Sequence, residues 1–192
     1  MRDACRFCRG FSLIEGLVAV SLVACLLLIP IPPMIALLSA SRLESTIQNL
    51  TSVLSFARSE ALRSGRGVWI CALFMRKNEH HNGCRTSPGQ LAEGWTDGVL
   101  LFADQEGARP GIYDAGEDLR DVGFSPTVSV VSDVAQYYVS GRGVYATAGL
   151  PAFVLREKQS GRCATVKIHA DSVLPVSCRG GECEGCSRHA PE

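Results

Sequence analysis

The chain has 192 residues, 46% of them apolar and 20% charged, with 19 basic and 19 acidic side chains. That composition excludes a disordered chain, and 9 cysteines are too sparse at this length for a small disulfide scaffold. A net charge of zero argues against nucleic-acid binding by bulk electrostatics and leaves room only for a local basic patch.

From Gly16 through Ser41 no charged residue occurs. As a helix this run would measure roughly 39 Å, more than the roughly 30 Å hydrocarbon core of a bilayer. Arg2, Arg6 and Arg9 precede it, and the next basic residue is Arg42. The positive-inside bias keeps residues 1–10 in the cytoplasm and sends the rest across the inner membrane. On a bacterial reading the destination is the periplasm, where disulfides persist.

Three readings compete for residues 1–41. A cleavable signal peptide is poorly served by Leu38-Ser39-Ala40, with a large residue three back from the cut. A lipoprotein anchored at Cys25 is suggested by Leu22-Val23-Ala24-Cys25. Against it, Glu15 would sit inside the apolar region, and Leu26-Leu27-Leu28-Ile29 stays apolar after the cysteine. Cys25 therefore reads as a small apolar residue in a membrane helix. The third reading rests on Arg9-Gly10-Phe11-Ser12-Leu13-Ile14-Glu15, a short basic leader ending in Gly, then Phe, then Glu before an apolar run.

That segment resembles the prepilin family. The resemblance implies that a prepilin peptidase cuts after Gly10 and methylates Phe11, and that Glu15 meets the new N-terminal amine of a neighbouring filament subunit. A partner is physically needed, because a carboxylate at the edge of a bilayer helix costs up to about 2.5–3.5 kcal/mol. Pro30, Pro32 and Pro33 interrupt the run, so a kink or local break is expected there. The similarity assigns residues 1–10 to a leader and 11–38 to the transmembrane and filament-core helix.

Residues 39–64 continue as an amphipathic helix. Leu43, Ile47, Leu50, Leu54, Ala57 and Ala61 make one apolar stripe, and Gly65 is placed to end it. From Gly67 onward Val, Ile, Phe and Tyr runs separated by Gly, Pro, Asn and Asp predict strands over 68–75, 99–103, 128–131, 137–145, 152–155, 164–169 and 173–176. No helices alternate with them, so the fold class is α+β, a long N-terminal helix packed on an antiparallel β-rich head over 65–178. Residues 179–192 read as a flexible tail.

A second resemblance covers most of the head. Phe56-Ala57-Arg58-Ser59-Glu60-Ala61 leads into Val68-Trp69-Ile70-Cys71. Gly94-Trp95-Thr96-Asp97-Gly98 then runs to Phe102-Ala103-Asp104, and Asp114-Ala115-Gly116-Glu117 follows. In order and spacing these are similar to the FimT/GspH-type minor pseudopilins, which implies a type IV pilin-like fold.

Loss of the leader would remove Cys5 and Cys8 and leave six cysteines outside the membrane, with fifteen possible pairings. A clip between Cys71 and Cys84 spans one loop, and Cys163 and Cys178 flank an expected terminal hairpin. Cys183 and Cys186 then remain, to pair together or with outside thiols. Cys178, Cys183, Cys186 and His189 have spacings that could wrap zinc, but the compartment favours disulfides. Cys183-Glu184-Gly185-Cys186 lacks the βαβ setting of a redox motif. His80 and His81 read as polar loop residues. Asp104, Glu106, Asp114, Glu117 and Asp118 lack calcium-loop spacing and read as turns. No metal, cofactor or catalytic constellation is expected, and no enzyme.

Two functions follow from the resemblance. One is structural, a minor pilin or pseudopilin incorporated with other pilins into a type IV pilus or type II secretion pseudopilus. The other is a DNA-binding minor pilin acting in natural transformation. For the latter Gly141-Arg142-Gly143-Val144 lacks a second Arg, and removing residues 1–10 leaves the rest formally two charges negative. Arg156, Lys158, Arg162, Lys167, Arg179 and Arg188 are the remaining basic candidates, read as a solvated strand face.

Overall fold

The computed structural model describes residues 12–27, 32–75, 81–85, 94–104, 111–146, 152–168, 176–179, 183 and 186. The chain divides into two compact units, Met1–Ala36 and Leu37–Glu192.

The first unit contains α1 (Leu13–Leu27), 15 residues whose one charge is Glu15 in the first turn. Its large apolar side chains stay more than half exposed, from Leu13 and Ile14 through Leu17, Val20 and Val23. The expected membrane segment over 11–38 lies partly outside the described residues, at 11 and 28–31. Among the described residues no helix is long and apolar enough to cross a membrane. The next helix described is α2 (Pro32–Ser64). Pro32 and Pro33 fall in its first turn, where a missing N–H costs nothing because those groups have no intrahelical acceptor. Pro30 lies outside the described residues.

The second unit is built on α2 from Leu37 onward. Leu43, Ile47, Leu50, Leu54, Ala57 and Ala61 are all buried, as the stripe requires, and Val53 joins them. Ala57 and Ala61 bring the last turns of the helix close to its neighbours. Gly65 closes it with φ 67° and a backbone bond to the Ala61 carbonyl at 2.9 Å, an αL cap.

Among the described residues nine strands follow: β1 (Val68–Met75), β2 (His81–Cys84), β3 (Gly98–Phe102), β4 (Asp118–Gly123), β5 (Val128–Ser132), β6 (Gln136–Val139), β7 (Ala152–Glu157), β8 (Cys163–Lys167) and β9 (Val176–Arg179). They form two antiparallel sheets. In one, β3 lies between β1 and β4, and β1 also pairs with both β2 and β6. The other has the order β5-β7-β8-β9. Alternation fixes the two faces of the first sheet. Val68, Ile70 and Ala72 join the core under α2, while Cys71 and Leu73 pack with Leu100, Phe102 and the half-buried Trp69 and Tyr113 in a second core.

Trp95 links the two sheets. Fully buried, it meets Phe153 of β7 edge-on at 5.1 Å and Tyr137 of β6 at 5.9 Å, and its Nε1 donates to the Val134 carbonyl at 3.0 Å. Such aromatic pairs add to the burial of their area.

Three strand expectations are corrected. β2 and β4 were not expected, and the run 137–145 pairs as a strand only to Val139. Beyond it Ser140 to Gly143 turn back, leaving a single Val139–Tyr145 bridge. Gly141 makes that turn possible: a Cβ there would lie 2.2 Å from the Gly65 carbonyl oxygen.

Candidate functional site

The processing segment comes first in the chain. Gly10 and Phe11 lie outside the described residues. Ser12 stands at the N-cap of α1, its carbonyl accepting the N–H groups of Glu15 and Gly16 at 3.0 and 3.1 Å. Glu15 is the third helical residue and exposed. A carboxylate in the first turn is favoured by the helix dipole, and Ser-x-x-Glu is the spacing of a capping box. Exposure leaves the same carboxylate open to a cation from another chain.

The motif residues of the head build turns and joints. Asp97 holds the Arg85 guanidinium at 2.6 Å. Gly98 has φ 147°, and a Cβ there would lie 2.3 Å from the Val122 carbonyl oxygen, so the start of β3 demands glycine. Asp104 accepts from Trp69 Nε1 at 2.9 Å and from the Gly111 N–H at 3.1 Å. Glu117 accepts from the Asp114 N–H at 3.0 Å, and its own N–H donates to the Asp114 carbonyl at 3.2 Å. At the helix end the Arg120 guanidinium of β4 lies over the Phe56 ring at 5.3 Å. These acidic groups are therefore spent on the fold; Glu106 lies outside the described residues.

The cysteines correct two expectations, the Cys163–Cys178 pairing and the pairing of Cys183 and Cys186 with each other or with outside thiols. Cys71 bonds Cys84, Cys163 bonds Cys186 and Cys178 bonds Cys183. Cys163 does not reach Cys178 because the register sets Cys178 opposite Thr165, two residues further along β8. All three sulfurs of the zinc alternative are consumed as disulfides, and its fourth group, His189, lies outside the described residues. Within the stretch read as a tail, Cys183 and Cys186 are both buried.

A cleft of about 520 Å³ opens beside this cluster. Ala40, Leu43, Glu44 and Ile47 of α2 form one wall, and Arg156, Arg162, Cys163 and Cys186 belong to the other. Arg156 donates through Nη2 to the Cys186 carbonyl, which ties β7 to the C-terminal disulfide. Next to it Glu157 is fully buried. Burial opposes its ionisation. The Ser160 N–H and hydroxyl and the Gln159 N–H, with Arg42 nearby, outweigh that and hold the carboxyl below its ordinary range. The sequence gives no periodic signal for Glu157; the only hint is its place between a strand and a Ser-Gly turn. Of the basic residues weighed for DNA, Arg156 is committed to Cys186 and Lys158 donates to the Pro126 carbonyl at 3.0 Å. Arg142 sits on the turn clamped against the helix cap, and Arg188 lies outside the described residues.

Two family models match the chain. The Type II transport protein GspH model matches residues 46–172, and the prokaryotic N-terminal methylation motif matches residues 5–29. The chain belongs to the GspH family. With a methylation motif ahead of a GspH domain, it is a subunit of the minor pilin or pseudopilin type. No curated protein matches it. Among solved structures it is similar to the type IV minor pilin FimU of Pseudomonas aeruginosa PAO1 in two crystal forms. The P21 form is 18% identical with TM-score 0.49, covering 74% of this chain and 90% of that one. The P65 form is 18% identical with TM-score 0.43, covering 70% and 98%. In this GspH chain the family's head motifs thus serve packing and turns, while the exposed apolar helix α1 and Glu15 belong to the first unit.

Proposed function

We propose that the chain is cut by a prepilin peptidase after Gly10, methylated at Phe11, and built as a minor subunit into a filament with other pilins. The filament is a type II secretion pseudopilus or a type IV pilus. Before assembly the uncharged run Gly16–Ser41 holds the chain in the inner membrane, with the head in the periplasm. The role is structural and not enzymatic. The observation that carries this reading is the pairing of a methylation motif with α1, whose large apolar side chains are exposed from Leu13 to Val23 and whose one charge is Glu15. Such a surface needs cover, first from lipid and then from neighbouring helices. Glu15 is then the group that meets the methylated amine of an adjacent subunit.

The test is Glu15→Ala beside wild type in a host with both machineries. Cleavage after Gly10 should be retained, and the variant should be lost from sheared filaments by at least about tenfold, the cost of one uncompensated charge contact. Equal incorporation of the two would overturn the assignment of Glu15. Loss of protein secretion on deletion of the chain points to the pseudopilus, and loss of surface pili to the type IV pilus.

A further inference from the structure

Sulfur is concentrated in the C-terminal part of the second unit. Cys163, Cys183 and Cys186 are 7, 3 and 5% exposed and form one buried cluster with Val154 packed on it, whereas Cys178 is exposed. Two disulfides therefore share one interior. Cys163–Cys186 lies wholly inside it, and Cys178–Cys183 has one end at the surface. The Cys186 N–H donates to the Cys183 carbonyl at 3.1 Å. A turn closed by that bond keeps its end Cα atoms within about 7 Å, the range a disulfide spans. Two cysteines in different bonds are thus already placed to bond each other.

We propose that Cys178 is a thiol-exchange site, through which a dithiol rewires the two C-terminal disulfides with Cys183 as the relay. One thiolate of the dithiol attacks Cys178 Sγ. The Cys178–Cys183 bond breaks, a mixed disulfide forms at Cys178, and the electron pair leaves on Cys183. Cys183 then attacks Cys186 Sγ, the Cys183–Cys186 bond forms, and Cys163 departs as a thiolate that takes a proton from solvent. The second thiol of the dithiol resolves the mixed disulfide, releasing Cys178 as a thiol and leaving the reagent as its own disulfide. Two electrons have entered the chain, and one disulfide stands where two stood.

Access decides the order of events, since exchange rates follow the reach of the attacking thiol. Direct attack on Cys163–Cys186 is blocked by burial, and the relay bypasses the block. The consequence lies at the cleft, which Cys163 and Cys186 both line. After exchange the covalent tie from β8 to the C-terminal segment is gone, and the Arg156 bond to the Cys186 carbonyl is left to hold that wall. Cys71–Cys84 shares no cluster with a third cysteine among the described residues, so reduction there stays local.

The experiment uses the oxidised full-length chain in detergent, with free thiols first blocked by N-ethylmaleimide. Dithiothreitol is raised until one of the four C-terminal cysteines becomes reactive, and new thiols are trapped with iodoacetamide and mapped by mass spectrometry. The expected result is label on Cys163 and Cys178 together, with a Cys183–Cys186 link. Label on Cys178 and Cys183 with Cys163–Cys186 intact would overturn the relay, as would label on Cys163 and Cys186 with Cys178–Cys183 intact. In the Cys178→Ser, Cys183→Ser double variant, reduction of Cys163–Cys186 should slow by at least about tenfold, since an intramolecular attack is replaced by an intermolecular one. An unchanged rate would count against the proposal. The wild-type map decides the matter even where the double variant does not fold.

Discussion

Glu157 sits fully buried at the end of β7, yet three donors from the following turn converge on its Oε2 at 2.6–3.0 Å. Because its folded pKa lies below the ordinary 4.5, the stability it contributes is complete above that value and is lost as pH falls through the folded value. Glu157→Gln is expected to cost about 1–3 kcal/mol near neutral pH, as charge-assisted bonds become neutral ones. It should also flatten the acid limb of stability. Urea unfolding at neutral pH and near pH 3 checks both; equal losses for variant and wild type on acidification would show that Glu157 does not carry that limb. Gly141 makes a second residue-scale case. A Cβ at 2.2 Å from the Gly65 carbonyl oxygen forces the 140–143 turn off the helix cap. Gly141→Ala should lose more than about 1 kcal/mol by thermal unfolding, beyond what reduced chain entropy returns.

At the scale of elements, legibility followed the physical signal. The stripe of α2 was readable because one face is buried and the other wet, and its six apolar positions all lie in the core. β4 was not, since Asp118 to Gly123 is an edge strand whose residues are almost all exposed, with no alternation to mark it. β2 carries His81, Asn82 and Gly83, turn-like residues that pair only because β1 lies beside them. The Cys71–Cys84 bond spans one excursion and was readable, while the C-terminal pairings depend on a register that spacing does not reveal. That first bond closes a loop of sequence separation 13 and should contribute about 3 kcal/mol through the unfolded chain. The Cys71→Ser, Cys84→Ser variant tests it by denaturant unfolding. A loss near zero would mean that the β1–β2 pair holds without the clip.

For the whole molecule, the two units divide the work. The head of the second unit spends its motif residues on joints: Trp95 between sheets, Asp104 on Trp69 and Gly111, Glu117 on its own turn. The family was legible in those residues because each has a steric or hydrogen-bonding job that few others can fill. The buried Glu157 and the cleft beside it were not, since both arise from elements far apart in sequence. The residues proposed for processing and assembly, Gly10, Phe11 and Glu15, belong to the first unit, whose α1 leaves its large apolar side chains exposed from Leu13 to Val23. The most direct test is the intact mass and N-terminal sequence of the chain recovered from membranes of hosts with and without a prepilin peptidase. A chain beginning at methylated Phe11, only where the peptidase is present, is the expected result. A chain beginning at a lipidated Cys25, or one left uncut in both hosts, would contradict the filament role.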